Sequence, residues 1–437
     1  MPSNRFTVIP EVRSAADPAT AHVRVPFVRP ALPAWEAFAP AAAEALASGR
    51  LTKGPCVDRL ERAIAARLGV RHALAVSSCT VGLMLAWKGL DLAAGSCRSR
   101  RRGGEGSGGG RRDETACGVG SMEPPGRFGV VRSGPRSEPL GEVILPSFTF
   151  LAGPAAIVWN NLRPVFIDVD PRSTNVTLQA VASAISPRTV GIMACHNFGN
   201  PCDVEGLAAL ASEHGLPLVV DAAHGFGASM HGRPVGAGAT AQVFSLSPTK
   251  LLVAGEGGIV ATDCDCLAHY VRLGREYGND GSYDALFAGV NARMPELSAA
   301  MALASLDLLD DVAARRRQVA ACYRRELEQI PGIGFVEPAA GCVPSHKDFS
   351  ITIDPLRFGM TRDAVRRALV VRGIETRSYY DPPCHRQTAF EHFHDRSRVL
   401  AGTDLLSARS LSLPIGAHVD EAVVEEVCEV IATAKNA

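Results

Sequence analysis

Net charge is absent from this 437-residue chain, in which Lys plus Arg and Asp plus Glu each number 45. Without a surplus of either sign there is no field to gather nucleic acid or an anionic membrane, so neither partner is expected. Long apolar runs are lacking too: no stretch reaches 18 apolar residues, and the first residues hold no basic segment followed by an apolar run and a cleavage site. No membrane span is expected, and the chain reads as cytoplasmic. The twelve cysteines, among them Cys56, Cys79, Cys195, Cys202 and Cys384, show no paired, metal-type spacing. Reduced thiols are expected rather than disulfides, and no metal site. Cys264-Asp265-Cys266 is too tight for the usual zinc spacing and reads as a turn with two incidental thiols.

What remains is length and apolar content. At 437 residues and 46% hydrophobic, the chain exceeds the size at which one core keeps growing, so two unequal domains are expected, 1–310 and 311–437. Helical apolar spacing over 35–48 and 57–68, broken by Gly49 and Gly54-Pro55, precedes a short strand at Ala73–Val76. Ser77-Ser78-Cys79-Thr80 then turns the chain into a second apolar helix running to about Leu92. Residues 97–141 break the pattern. They are dense in Gly, Arg, Ser and Pro and hold nine arginines against five acidic residues. Such a composition cannot bury enough surface to offset its ordering entropy, which predicts a disordered insertion. Phe128 is the one aromatic residue among those arginines able to stack on a base, so an RNA-binding arm is the lesser reading.

Continuous apolar strands follow at Glu142–Pro146, Pro164–Val169, Val190–Ala194 and Leu218–Asp221, with helices expected at 151–160, 178–185 and 203–214. The alternation predicts an α/β fold with a mostly parallel sheet between helices, and ligands in such sheets collect at the carboxyl ends of the strands. Asp221, His196 and the Ser77 turn fall there, whereas the insertion joins at the opposite edge. A long helical stretch from about Pro295 to Leu327 leads into Phe349–Ile353, a helix at 361–372, a strand at 373–376 and a final helix from Val419, a compact α+β tail. Arg315-Arg316-Arg317 on the long stretch reads as a solvated helix face.

The chemistry gathers around Lys250, which lies between a β-type run and the loop Gly255-Glu256-Gly257-Gly258, 29 positions after Asp221. An amine on a flexible turn and a carboxylate ending a buried strand are what pyridoxal 5'-phosphate (PLP) requires, one for its aldehyde and one for its ring nitrogen. In this reading Lys250 also moves the proton at the substrate carbon. Alone, a strand-end aspartate such as Asp221 is more often a helix cap or turn residue, and its partnership with Lys250 reverses that reading. Ser78, Cys79 and Thr80, opening a helix, offer backbone N–H groups and a hydroxyl to a phosphate, and Ser245 adds a second hydroxyl; capping alone is the other reading of Thr80. Phe150 is placed to lie against the ring or to serve as a core aromatic. His224 is placed to bond the ring's phenolic oxygen or to play a structural part.

Lys53-Gly54-Pro55, Ser77 to Thr80, Pro146 to Phe150, Val220 to His224, Ser245 to Lys250, Gly255 to Gly258 and Asn291-Ala292-Arg293-Met294 occur in an order that resembles the DegT/StrS-type sugar aminotransferases, PLP enzymes of fold type I. The resemblance runs from about residue 25 to the C-terminus, the insertion apart. It implies a large PLP-binding domain with a small C-terminal domain. It implies a homodimer with a shared active site, in which the partner subunit's Asn291 reaches the cofactor phosphate. It places Lys53, His346 and the Tyr379-Tyr380 region near substrate, and it implies glutamate as amino donor and a keto sugar nucleotide as acceptor. Cyclitol or other cyclic ketones are the alternative acceptors. Relatives that dehydrate sugars replace the lysine with histidine, and a non-catalytic PLP-binding regulator would not need the lysine. The chain departs from the family in the insertion and at Cys79, where a smaller residue is usual.

Overall fold

The structure, a computed structural model, describes residues 23–102 and 141–434, with backbone alone for 92–102. Helices α1 (Trp35–Ser48) and α2 (Pro55–Leu68) come first. Each ends where a glycine enters the left-handed region, Gly49 at φ 67° and Gly69 at φ 66°, which closes the last turn without Cβ strain. Strand β1 (His72–Val76) leads into α3 (Cys79–Arg102), which runs ten residues beyond the expected end near Leu92. Residues 97–102 of the expected insertion are therefore helical, and 103–140 lie outside the described residues. The 24 residues of α3 carry the chain about 36 Å from the β1 turn by Arg102.

Beyond it run β2 (Glu142–Pro146), α4 (Ala152–Trp159), β3 (Arg163–Ile167), α5 (Leu178–Ala182), β4 (Thr189–Cys195), α6 (Val204–Glu213) and β5 (Leu218–Asp221). After the short strands β6 (Ser229–Met230) and β7 (Arg233–Pro234) come β8 (Ala241–Ser245), β9 (Gly258–Thr262) and α7 (Asp265–Gly274). The main sheet has the order β1-β9-β8-β5-β4-β2-β3. Only β9 opposes its neighbours; β2, β3, β4, β5 and β8 pair in parallel. Its strands are apolar on both faces because helices cover both, giving one core under α2 and α8 (Glu296–Leu306) and another under α3 and α4. This is the fold type I arrangement. Cys264-Asp265-Cys266 is not a simple turn: Cys264 caps α7, its sulfur accepting the Leu267 N–H at 3.4 Å.

The expected helix over 295–327 is two, α8 and α9 (Leu309–Leu327), broken at Asp307-Leu308. The break lets α9 start in the core that α8 serves, through Leu309, Val312 and Ala313, and end in another. Ala299, Ala300 and Ala302 pack beneath the main sheet, whereas Val319, Ala320, Tyr323 and Leu327 enter the C-terminal core. Arg316 shares that buried stripe and is 3% exposed, giving its N–H groups to the carbonyls of His346 and Lys347, so it is not part of a solvated face. The C-terminal sheet is β10 (Ile333–Phe335), β12 (Phe349–Ile353) and β13 (Ser410–Leu413), with β11 (Cys342–Val343) pairing to β6. Around it lie α10 (Pro355–Phe358), α11 (Arg362–Val371), α12 (Ala401–Arg409) and α13 (Glu421–Thr433). Residues 373–376 form no strand, because their neighbour is the short segment at Val25, which bridges Ile374 and packs in the same core.

One buried carboxylate ties the large core to the N-terminal helices. Glu296, fully buried, accepts N–H bonds from Gly54 (2.9 Å), Cys56 (2.8 Å) and Val57 (3.0 Å) at the start of α2. Glu296→Ala strips three donors of their acceptor and is expected to cost about 3 kcal/mol, read as a lower midpoint in urea with unchanged slope.

Candidate active site

The carboxyl ends of five parallel-running strands converge on one cavity of about 350 Å³. After β1 the chain turns at Ser77-Ser78 and starts α3, with the Ser78 hydroxyl accepting the Val81 N–H at 3.2 Å. Ser78, not Thr80, is thus the cap, and Thr80 lines the cavity with the positive end of α3 behind it. After β2 comes Thr149-Phe150, and at the ends of β4, β5 and β8 lie Cys195, Asp221 and Ser245. The turn is held close to β9: a Cβ on Gly258 would sit 2.6 Å from both Cys79 N and Ser78 C, so only glycine fits there. Cys79 is accommodated by turning its thiol to the Val243 carbonyl (3.5 Å) and the Asp221 carboxylate (3.9 Å).

Lys250 and Asp221 line this same cavity. Lys250 sits on a tight turn, its N–H bonded to Ser247 O at 3.0 Å. Burial, with the Lys347 ammonium nearby, lowers its amine to about 8, which leaves part of it unprotonated near neutrality. Asp221 is 3% exposed; burial pushes its carboxyl up, and the Ala223 N–H and the charge of Lys250 pull it back. Among the described residues every hydrogen bond it accepts lands on Oδ1. Burial, together with the cations Lys250, Lys347 and Arg316, holds His224 well below its ordinary value, so its ring is neutral. Phe150 is 51% exposed on the cavity wall, and the core aromatic of this loop is Phe148, fully buried.

Of the residues singled out in the sequence, Ser78, Cys79, Thr80, Phe150, Asp221, His224, Ser245, Lys250 and Tyr379 meet in this cavity. Lys53 and Asn291 do not line it. Lys53 is an exposed side chain paired with Glu276 at 3.0 Å, and exposed Asn291 bridges the backbone of the same Glu276. His346 is turned into a second cavity beside α9, with Arg317 and Arg324, where burial lowers it to about 4. His196 is buried behind the site, bonded to Gln242 and to the Cys202 N–H. Residues missed in the sequence are Thr149, Glu256 and, above all, the buried ion pair Lys347–Asp348 at 2.8 Å. A charged dipeptide just before β12 gives no local signal; only the tertiary fold brings it to the cavity.

A phosphorylated pyridine aldehyde fits the donors this cavity presents. A buried carboxylate is costly unless a cation completes it, and Asp221 Oδ2 faces that need. His224 Nδ1 and Thr149 Oγ1 are buried cavity atoms without partners among the described residues. The α3 N-terminus, with the Thr80 and Ser245 hydroxyls in the same cavity, could hold a phosphate.

The chain is similar to known proteins over most of its length. The profile of the DegT/DnrJ/EryC1/StrS aminotransferase family matches residues 35–97 and 135–432. The chain is 37% identical over 297 residues, 67% of its length and 78% of the relative's, to the erythromycin biosynthesis sensory transduction protein EryC1 of Saccharopolyspora erythraea. The crystal structure of DesI, solved with its TDP-sugar product, superposes with a TM-score of 0.79 at 32% identity, covering 95% of this chain and 94% of that one. That of DesV from S. venezuelae gives 0.77 at 29% identity, covering 94% and 98%. With a matching profile across both sheets and the lysine and aspartate in one cavity, the chain belongs to the DegT/DnrJ/EryC1/StrS aminotransferase family.

Proposed function

We propose that this aminotransferase uses PLP to move an amino group from glutamate to a keto group of a nucleotide-linked sugar, in two separate half-reactions. The observation that carries the reading is the single cavity holding both the amine of Lys250 and the buried carboxylate of Asp221 at strand ends. Bound PLP would supply an aldehyde carbon for the exchange and a ring that withdraws electrons from the reacting carbon. Asp221 would hold a proton at the ring nitrogen. The α3 N-terminus, Thr80 and Ser245 would take the phosphate, Phe150 would cover a ring face, and neutral His224 would bond the phenolic oxygen. Lys250, part of it unprotonated near neutrality, would bind the aldehyde and then carry the proton to and from the substrate's α-carbon.

Sugars as substrates are supported by the TDP-sugar named for DesI. Lys53 and Asn291, exposed and outside the cavity of their own chain, suit a homodimer in which each reaches the neighbouring site. The sensory role in the name of the Saccharopolyspora relative would not call for a base in the cavity, and Lys250 speaks for turnover. Incubating the PLP-loaded protein with glutamate and a panel of keto sugar nucleotides and cyclitol ketones tests the reading. We expect 2-oxoglutarate to form with at least one sugar nucleotide; formation only with cyclitol ketones, or with none, would refute it.

A further inference from the structure

The ion pair Lys347–Asp348 is unused by the chemistry above, although both residues line the catalytic cavity with side chains 4% and 1% exposed. Its backbone is pinned from three sides. Arg316 donates to the carbonyls of His346 (3.1 Å) and Lys347 (2.7 Å), Ser345 Oγ donates to His224 O (2.7 Å), and Ser345 N–H donates to Gly199 O (3.0 Å). The wall bearing Lys347 is thus fixed relative to the β5 end. Yet the pair is half satisfied: the ammonium has three donors and one hydrogen bond, to Asp348 Oδ1, while Asp348 Oδ2 is buried without a partner. A buried ammonium with N–H groups to spare is costly, and a ligand that accepts them offsets that cost, whereas Asp348 Oδ2 gains nothing from an acceptor.

The ligand's class follows from charge. Among the described residues lining the cavity, the lysines are Lys250 and Lys347, and Lys250 is engaged by the reaction. An amino acid donor arrives with carboxylates that need a stationary cation near the reacting carbon. We propose that Lys347, held by Asp348, binds a carboxylate of the amino donor; the assignment rests on the aminotransferase function proposed above. The ammonium can give its remaining N–H groups to a second carboxylate while keeping Asp348, the arrangement that makes charge-assisted bonds strong.

The test uses the PLP-loaded enzyme and glutarate, a dicarboxylate without an amino group, with binding measured by calorimetry. Lys347→Met together with Asp348→Asn removes both charges at nearly constant shape and leaves no lone buried charge, and its fold is checked by its melting transition. We expect glutarate affinity and the glutamate KM to worsen at least about 30-fold, the KM for the keto sugar to move less than about threefold, and Lys347→Arg to recover most of the loss. Unchanged glutarate binding in the folded double variant, or a loss that falls on the keto sugar instead, overturns the assignment while leaving the transaminase reading intact. A wild type that transaminates no donor at all would overturn the broader reading.

Discussion

Lys250→Ala is expected to lower transamination by on the order of 10⁴-fold or more while leaving the protein folded, because in the proposed function one amine supplies both the nucleophile and the proton carrier. The truncation lies on a turn lining the cavity and takes nothing from the hydrophobic cores, so the melting transition should shift little. Adding methylamine should restore a small part of the rate, since the cavity and its other groups remain. The same amine sets a pH dependence. Burial and Lys347 lower it to about 8, and only the unprotonated form attacks an aldehyde. Capture of PLP by the cofactor-free protein should therefore accelerate as pH rises from about 6 and level off above about 8, rather than climbing toward the ordinary lysine range near 10.4. Stopped-flow absorbance across that range checks it; a rate still rising at pH 10 would contradict the lowered amine.

Asp221→Asn should be nearly as damaging for a different reason. The amide has the same shape and can keep the bond from the Ala223 N–H, now 2.9 Å from Oδ1, but it cannot hold a proton on a pyridine nitrogen. In the proposed function the loss of that charge would weaken the electron withdrawal that bound PLP would supply, and we expect kcat to fall by roughly 10²- to 10³-fold with cofactor still retained. Asp221→Glu should recover little, because the carboxylate is 3% exposed at a strand end with no room to reposition. A variant that kept wild-type kcat would show that the carboxylate plays only a structural part.

Where these residues would meet was readable in advance because local pattern and chemistry coincide. Apolar runs such as Glu142–Pro146 and Leu218–Asp221 appear as strands with the same bounds, and polar residues at their ends point at the ligand side of a parallel sheet. The antiparallel β9 was hidden because Gly258–Thr262 continues a glycine-rich loop and its pairing is decided by β1 and β8. Arg316 carried a signal that three adjacent arginines obscured. It lies in phase with Val312, Val319 and Tyr323, so helical periodicity alone places it inside. Lys347–Asp348 offered no such signal, since the bonds that hold their segment in place come from Arg316 and, through Ser345, from Gly199 and His224, all remote in the chain. His346, one residue away, turns into the neighbouring cavity because residues 345–348 change direction there, His346 itself having φ 48°. Lys53 and Asn291 lie on the surface of their own chain, and their placement near a reacting centre would depend on a second copy.

The most direct measurement of the central claim, that one amine and one carboxylate act on the same ring from one cavity, is to load the protein with PLP, reduce it with borohydride and map the modified peptide by mass spectrometry. We expect a single stable adduct on Lys250, still formed in Asp221→Asn, and no adduct in Lys250→Ala. An adduct on Lys347 or on a surface lysine in its place, or no adduct in the wild-type protein, would contradict it.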